Sequence, residues 1–207
     1  MKILSHRGYW KESSEKNTDI AFRRSFSLGF GTETDVRDLQ GALVISHDMP
    51  CGDEHSLSDC LGYLGDRDLP LALNIKADGL ADVLAATMRR HEIKDWFVFD
   101  MSIPDTRAYL EIGAPVFVRL SEVEQVPVWL DRASGIWLDA FEGEWYDATL
   151  IENLIAQGKR VCVVSPELHR RPHLHCWSLL SPLRHHEGLM LCTDFPELAR
   201  AYFEARS

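Results

Sequence analysis

The chain of 207 residues is predicted to be an α/β protein of the (β/α)8 TIM-barrel type, compact and with few insertions. Three observations predict it. Short apolar runs bounded by turn residues alternate with helix-like segments along the whole length, which implies a parallel sheet with crossover helices. The alternating units number eight once one run is paired off as a hairpin, and a closed eight-unit barrel becomes feasible from roughly 200 residues. The rival, an open doubly wound sheet, lacks its fingerprint: Gly29-Phe30-Gly31 precedes a strand instead of following one, and no GxxxxGK[ST] loop occurs.

The strands are expected at residues 3–5, 32–36, 43–46, 71–75, 96–99, 116–120, 135–138, 160–164 and 189–192. The run at 43–46 follows the one at 32–36 across a short turn, Asp38 to Gly41, and reads as its antiparallel extension. Between the runs, 18–28 places Ile20, Phe22 and Phe26 near a helical period, and Ser56 caps a helix over 56–64. Leu80, Val83, Leu84 and Met88 form one stripe over 80–91; further helices are expected at 104–112, 146–157 and 196–205. Residues 121–134 have too little pattern for a helix. All 207 residues form one domain on this reading, at about 26 residues per unit. That spacing leaves little for an inserted lid, so the expected site is a shallow, open mouth suited to a small soluble ligand.

Lys plus Arg is 22 against 32 for Asp plus Glu, a formal charge of −10, which argues against a nucleic-acid groove built on global charge. The five cysteines, at 51, 60, 162, 176 and 192, form neither a CxxC pair nor an even framework, and read as reduced thiols of a cytoplasmic protein. Met1 to Ser5 runs straight into His6-Arg7-Gly8, without the apolar stretch of a signal peptide, and no segment approaches the length of a membrane span.

On a strand, residues two apart share a face, so Glu33 and Asp35 point together while Thr32, Thr34 and Val36 point away. Two such carboxylates repel unless a cation joins them, and oxygen ligands suit Mg²⁺ or Ca²⁺. The competing reading is a pair of solvent-exposed edge charges. His6 and His47 each stand where an apolar run stops, followed by Arg7 and Asp48; in a barrel these positions lie at the C-terminal mouth, where active sites form. Ala72, Asn74 and Lys76 face the interior, and a lysine at a strand end has a phosphate-binding reading. Two histidines, a cation site, an arginine and a lysine are what phosphoryl chemistry needs as base, acid and anion clamp. His169, His173 and His175, near Glu167 and Cys176, lack a structural-zinc spacing and read as a polar or substrate-contacting loop. Arg37 and Arg119 are candidate ion-pair partners or extra charge for an anionic substrate, and Cys162 and Cys192 are expected to be core thiols.

His6-Arg7-Gly8, Asn17-Thr18 before a helix with Ala21-Phe22, Glu33-x-Asp35-Val36, His47-Asp48 and Asn74-Ile75-Lys76 resemble, in order and spacing, the glycerophosphodiester phosphodiesterase family of the phosphatidylinositol-phospholipase-C-like superfamily. Trp137-Leu138-Asp139 and the Thr193-Asp194-Phe195-Pro196 turn extend the resemblance more loosely to the end of the chain. It implies a metal-assisted hydrolase of a small soluble phosphodiester. By carry-over, His6 and His47 are the general acid and base, Arg7 and Lys76 bind the phosphate, and Glu33 and Asp35 hold the divalent cation.

Two positions depart from the family pattern. Where the family has E-x-K, this chain has Asn74-Ile75-Lys76, which removes a carboxylate but keeps a carbonyl oxygen able to ligate. Asp139, inward-facing with Trp137, is the expected substitute ligand. The family's E-N-T reads Lys16-Asn17-Thr18, with Glu15 one place earlier, so no role passes to Lys16 or Glu15. Two other outcomes fit the same residues: a lyase-like reaction releasing a cyclic phosphate, and a non-catalytic binder of a phosphate ligand.

Overall fold

Residues 1–205 are described by a computed structural model in which strands and helices alternate as expected. The strands are β1 (Lys2–His6), β2 (Gly31–Leu39), β3 (Ala42–Ile45), β4 (Leu71–Ile75), β5 (Trp96–Phe99), β6 (Phe117–Leu120), β7 (Gly135–Leu138), β8 (Arg160–Val164) and β9 (Leu189–Thr193). The helices are α1 (Asp19–Ser27), α2 (Leu57–Leu64), α3 (Ala81–Arg90), α4 (Ile103–Glu111), α5 (Ala148–Ala156), α6 (Leu174–Leu180) and α7 (Pro196–Glu204). Eight strands pair in parallel in the order β5-β4-β2-β1-β9-β8-β7-β6. Between β5 and β6 the ring closes through a single bridge, Val98 to Val116, with Val98 N–H donating to Pro115 O at 3.0 Å. The result is a (β/α)8 barrel whose weakest seam lies at β5–β6.

β3 is the antiparallel extension expected of 43–46. It pairs with the end of β2 from Val36–Ile45 to Leu39–Ala42, across Gln40 and Gly41, both with positive φ (+50° and +85°). That is the conformation a two-residue hairpin turn demands. Ser56 accepts a hydrogen bond from Asp59 N–H at 3.0 Å and starts α2, and Asp147 does the same for Leu150 at the head of α5.

Alternation sorts the side chains. Leu71, Leu73 and Ile75 pack outward with the helices, while Leu4, Ala72, Phe97, Phe99, Phe117, Trp137, Cys162, Val164, Met190 and Cys192 fill the barrel. Phe97 stacks on Phe117 at 3.7 Å between centroids and Phe99 on Trp137 at 3.9 Å, so aromatic rings fill the half of the barrel nearest the seam. Cys162 and Cys192 are buried, as expected, and all five thiols are free.

One element was not expected. Residues 174–180, of which the stretch to Cys176 was read as a loop, form α6, which buries Cys176, Trp177 and Leu180. The helix is short and has no capping side chain; packing holds it, since fully buried Trp177 donates its Nε1–H to Ser165 Oγ at 2.8 Å. Such a helix gives no local pattern to read, because its stability is tertiary. Residues 121–134 contain no helix, in agreement with the sequence.

Candidate active site

The site is built on the C-terminal ends of the strands, beginning with the turn after β1. Arg7 and Gly8 both have positive φ (+57° and +78°), and a Cβ on Gly8 would stand 2.8 Å from that of Ala21. Only glycine allows the chain to run so close to α1. The turn is fastened by Arg7 N–H to Glu33 O at 2.9 Å and Gly8 N–H to Thr32 Oγ1 at 3.0 Å, so β2 sets where His6 and Arg7 point.

Glu33 and Asp35 are buried, not exposed edge charges. Asp35 is the electrostatic hub: its Oδ2 lies 3.0 Å from Arg7 Nε and accepts from Asn17 Nδ2 at 2.9 Å, and its Oδ1 lies 3.4 Å from Lys76 Nζ. Asn17 itself has positive φ (+60°), which asparagine tolerates, and its Oδ1 accepts from Thr34 Oγ1 at 2.8 Å. Glu33, one layer down, faces His6 Nε2 at 3.9 Å, and burial together with the charge of Asp35 pushes its carboxyl above the usual carboxylate range. Asn74 stands beside Asp35 in register on β4 and is 8% exposed. Its Oδ1 and the Oδ1 of Asp35 are buried and accept no hydrogen bond. A buried amide oxygen that accepts nothing, beside an Asp35 Oδ1 that faces only the Lys76 ammonium and a Glu33 carboxyl raised by burial, gives a set of oxygen donors, Glu33, Asp35 and Asn74, that fits a hard divalent cation.

Asp139 does not join them. Among the described residues, Glu33, Asp35 and Asp139 offer no three ligand atoms within 4.8 Å of one another. Its oxygens are engaged across the barrel: Oδ1 accepts from His169 Nε2 at 2.7 Å and from Ala140 N–H at 2.9 Å, and Oδ2 lies 3.5 Å from Arg119. In this structure the residue expected to replace the absent glutamate is thus paired with His169 and Arg119. Glu15 turns outward to Arg24 at 2.8 Å, which with the Lys11 N–H holds its carboxyl down at about 2. Lys16 lies over the Trp10 ring, 4.4 Å from its centroid.

His47 follows β3 on an exposed loop, its Nδ1 2.9 Å from Asp48 Oδ1 and its carbonyl facing the Arg37 guanidinium. His6 is less exposed and is held by a residue to which the sequence analysis gave no role. Its Nδ1 donates to Asp194 Oδ1 at 2.8 Å; a carboxylate only accepts, so the proton sits on Nδ1 and Nε2 is turned toward Glu33. Asp194 is in turn set by Glu167, whose Oε1 accepts from the Asp194 N–H at 3.1 Å and from Thr193 Oγ1, while its Oε2 accepts from Ser165 Oγ. Glu167 and His173 thus belong to the support of the β9 turn, with His173 Nδ1 4.0 Å from Glu167 Oε2. The only signal for Asp194 in the sequence was its place in the Thr193-Asp194-Phe195-Pro196 turn.

Two cavities matter to the interpretation. The larger, about 700 Å³, lies at the N-terminal ends of the strands around Met1, Phe30 and Arg200, away from every residue above. The second, about 360 Å³, opens beside Asn74 and Lys76 at the mouth and extends toward Arg119 and Trp129. Barrel chemistry belongs to the C-terminal face, which favours the smaller one.

No protein-family model matches the chain, and no curated protein matches it in sequence. Solved structures do match. A protein assigned as a glycerophosphodiester phosphodiesterase from Galdieria sulphuraria superposes with a TM-score of 0.77 at 15% identity, covering 98% of this chain and 97% of its own. A glycerophosphodiester phosphodiesterase from Agrobacterium tumefaciens gives 0.71 at 18% identity, with 96% and 99% covered. A phosphodiesterase from Oleispira antarctica, in complex with its product sn-glycerol-3-phosphate, gives 0.71 at 14% identity, with 99% and 97% covered. At these identities the likeness establishes the barrel fold.

Proposed function

We propose that the chain, as one domain, is a phosphoric diester hydrolase of the glycerophosphodiester phosphodiesterase type, acting on a small soluble phosphodiester. The observation that carries this reading is the convergence of Arg7 and Lys76 on buried Asp35, beside His6 backed by Asp194. The fold shared with the phosphodiesterases supports it, and one of those relatives is in complex with sn-glycerol-3-phosphate.

Arg7 and Lys76 draw the phosphate to the mouth and neutralise its non-bridging oxygens, a local positive spot on a chain of charge −10. One of His6 and His47 takes the proton from the attacking hydroxyl, which belongs to water or to a neighbouring hydroxyl of the substrate. As the phosphorus–oxygen bond to the alcohol breaks, the other histidine gives its proton to the departing alkoxide. Asp194 and Asp48 hold the two imidazoles by Nδ1 and leave each Nε2 for this exchange. A Mg²⁺ or Ca²⁺ ion held by Glu33, Asp35 and Asn74 supplies further neutralisation of the phosphate charge when bound. Asn74 in place of a carboxylate leaves the set one negative charge short, so the cation binds weakly.

No helix among the described residues is long and apolar enough to cross a membrane, and the free thiols fit a reducing cytoplasm. The test is phosphorus NMR of glycerophosphodiesters incubated with purified protein and Mg²⁺, Ca²⁺, Mn²⁺ or chelator. A phosphomonoester should form. A cyclic phosphate that accumulates would make the enzyme lyase-like, and unchanged diester under every condition would overturn the proposal.

A further inference from the structure

Gly29-Phe30-Gly31, which follows no strand and cradles no phosphate, lies at the N-terminal face of the barrel and shapes the larger cavity, of about 700 Å³. Gly29 has a φ of +77°, and a Cβ on Gly31 would stand 2.5 Å from Pro70 O, so glycine is what lets the chain leave α1 and run this close to the link before β4. Phe30, between them, is buried beneath α7: the Arg200 guanidinium lies on its ring, 3.8 Å from the centroid, and Arg200 Nη2 donates to Leu28 O at 2.6 Å. The guanidinium is thereby held at the edge of the cavity in one orientation. Glu197, three positions earlier on α7, feels its charge, but that carboxylate accepts from the Tyr9 hydroxyl and lies 3.3 Å from Lys11 Nζ.

Half-buried Ile3 and Leu69 supply apolar wall beside Arg200. Because β1, α7 and the links before β2 and β4 each contribute, the cavity is formed by packed elements before any ligand arrives, and its volume falls in the range of about 300–1,000 Å³ usual for small-molecule sites. Its charge runs against that of the chain. Lys2, Arg184 and Arg200 line it with Asp68 and Glu204, three cations to two carboxylates, where the whole chain has 22 to 32. Lys2 is paired with Asp95 at 2.7 Å and Arg184 donates to Ser181 O at 2.7 Å, which leaves the stacked Arg200 as the oriented anchor.

We propose that this cavity binds an amphiphilic carboxylate, its head paired with Arg200 and its hydrocarbon tail laid along Ile3 and Leu69. One surplus positive charge calls for a monoanion, and a planar carboxylate matches the guanidinium fork. A neutral alcohol of the same length gains only the burial of its tail, and an ammonium amphiphile meets Arg200 with like charge. The cavity lies at the end of the strands opposite Arg7 and Lys76, so the proposal stands apart from the phosphodiesterase reading.

Calorimetry with octanoate, octanol and octyltrimethylammonium tests it. Octanoate should bind saturably, one to one, and about tenfold more tightly than either of the others, as a charge-assisted hydrogen bond provides. Arg200→Gln should remove most of that advantage and Arg200→Lys less of it, with circular dichroism of both variants unchanged. In methyl NMR, octanoate should shift the Ile3 and Leu69 resonances and leave in place those of Val118 and Val128, which line the mouth cavity. Shifts at the two valines alone would put the anion at the mouth and overturn the proposal. Equal binding of octanoate and octanol, or binding untouched by Arg200→Gln, would overturn it too. So would Ile3 and Leu69 shifts produced by raising the protein concentration alone, because a second copy of the chain would then be the occupant.

Discussion

Asp194 gives the sharpest test of how the barrel positions its chemistry. It contacts His6 Nδ1 at 2.8 Å in a pair with side chains 17% and 12% exposed, so solvent screening is limited. Asp194→Asn keeps the shape and the main-chain bond to Glu167 but replaces the carboxylate with an amide that can present its NH2 to the ring. The imidazole then loses the partner that keeps its proton on Nδ1. A hydrogen bond to a charged group is worth about 1.5–3 kcal/mol, which at 1.4 kcal/mol per decade is about a 10- to 150-fold loss. The loss should fall on kcat and leave KM nearly unchanged, because the proposed phosphate-binding residues, Arg7 and Lys76, are untouched. Steady-state kinetics with bis(p-nitrophenyl) phosphate reads both parameters, and a thermal melt checks that the fold is intact. A kcat within twofold of wild type, with a normal melt, would refute the claim that Asp194 orients His6.

Other perturbations probe the rest of the account. In chelator, Asp35→Asn strips Arg7 and Lys76 of their shared partner, and removal of one member of a buried charge cluster costs about 3–5 kcal/mol, seen as a fall of about 6–20 °C in melting temperature; a change under about 2 °C would remove Asp35 from the centre of the network. At Gly135, where an added Cβ would meet Phe117 Cζ at 2.4 Å and Arg160 O at 2.6 Å, Gly135→Ala should destabilise by about 1–3 kcal/mol in urea titration. Native thiol labelling should modify Cys51 alone, because Cys60, Cys162, Cys176 and Cys192 are buried. Asp53 and Glu54 raise the Cys51 thiol to about 11, so its thiolate is scarce near neutrality and its labelling rate should climb steeply with pH; a rate flat from pH about 7 to about 10 would contradict that.

Much of this fold could be read from the chain because strand and turn chemistry are local. The 71–75 run alternates strictly, the Gln40-Gly41 turn needs positive φ, and Ser56 caps its own helix. The grouping of the candidate residues was legible for the same reason: His6, Glu33, Asp35, Asn74 and Lys76 sit on or just after strands whose side-chain direction period-two alternation fixes. What local pattern could not supply was partnership between distant strands. Asp194 meets His6 across 188 positions, and Asp139 meets His169 on the loop after β8 instead of Glu33 on β2. Barrel closure decides such pairs, which is why the inward direction of Asp139 was legible and its partners His169 and Arg119 were not. The 121–134 segment lacks periodicity because it packs as an irregular cover, with Ser121 and Glu124 exchanging main-chain hydrogen bonds.

The central claim is that a two-histidine pair at the mouth cleaves a phosphodiester. It is tested most directly by the rate of bis(p-nitrophenyl) phosphate hydrolysis by the wild-type protein beside His6→Ala and His47→Ala. Loss of a general acid or base costs about 10²–10⁴-fold, so each variant should fall by at least two decades while melting like the wild type. Hydrolysis that survives both substitutions undiminished would contradict the account.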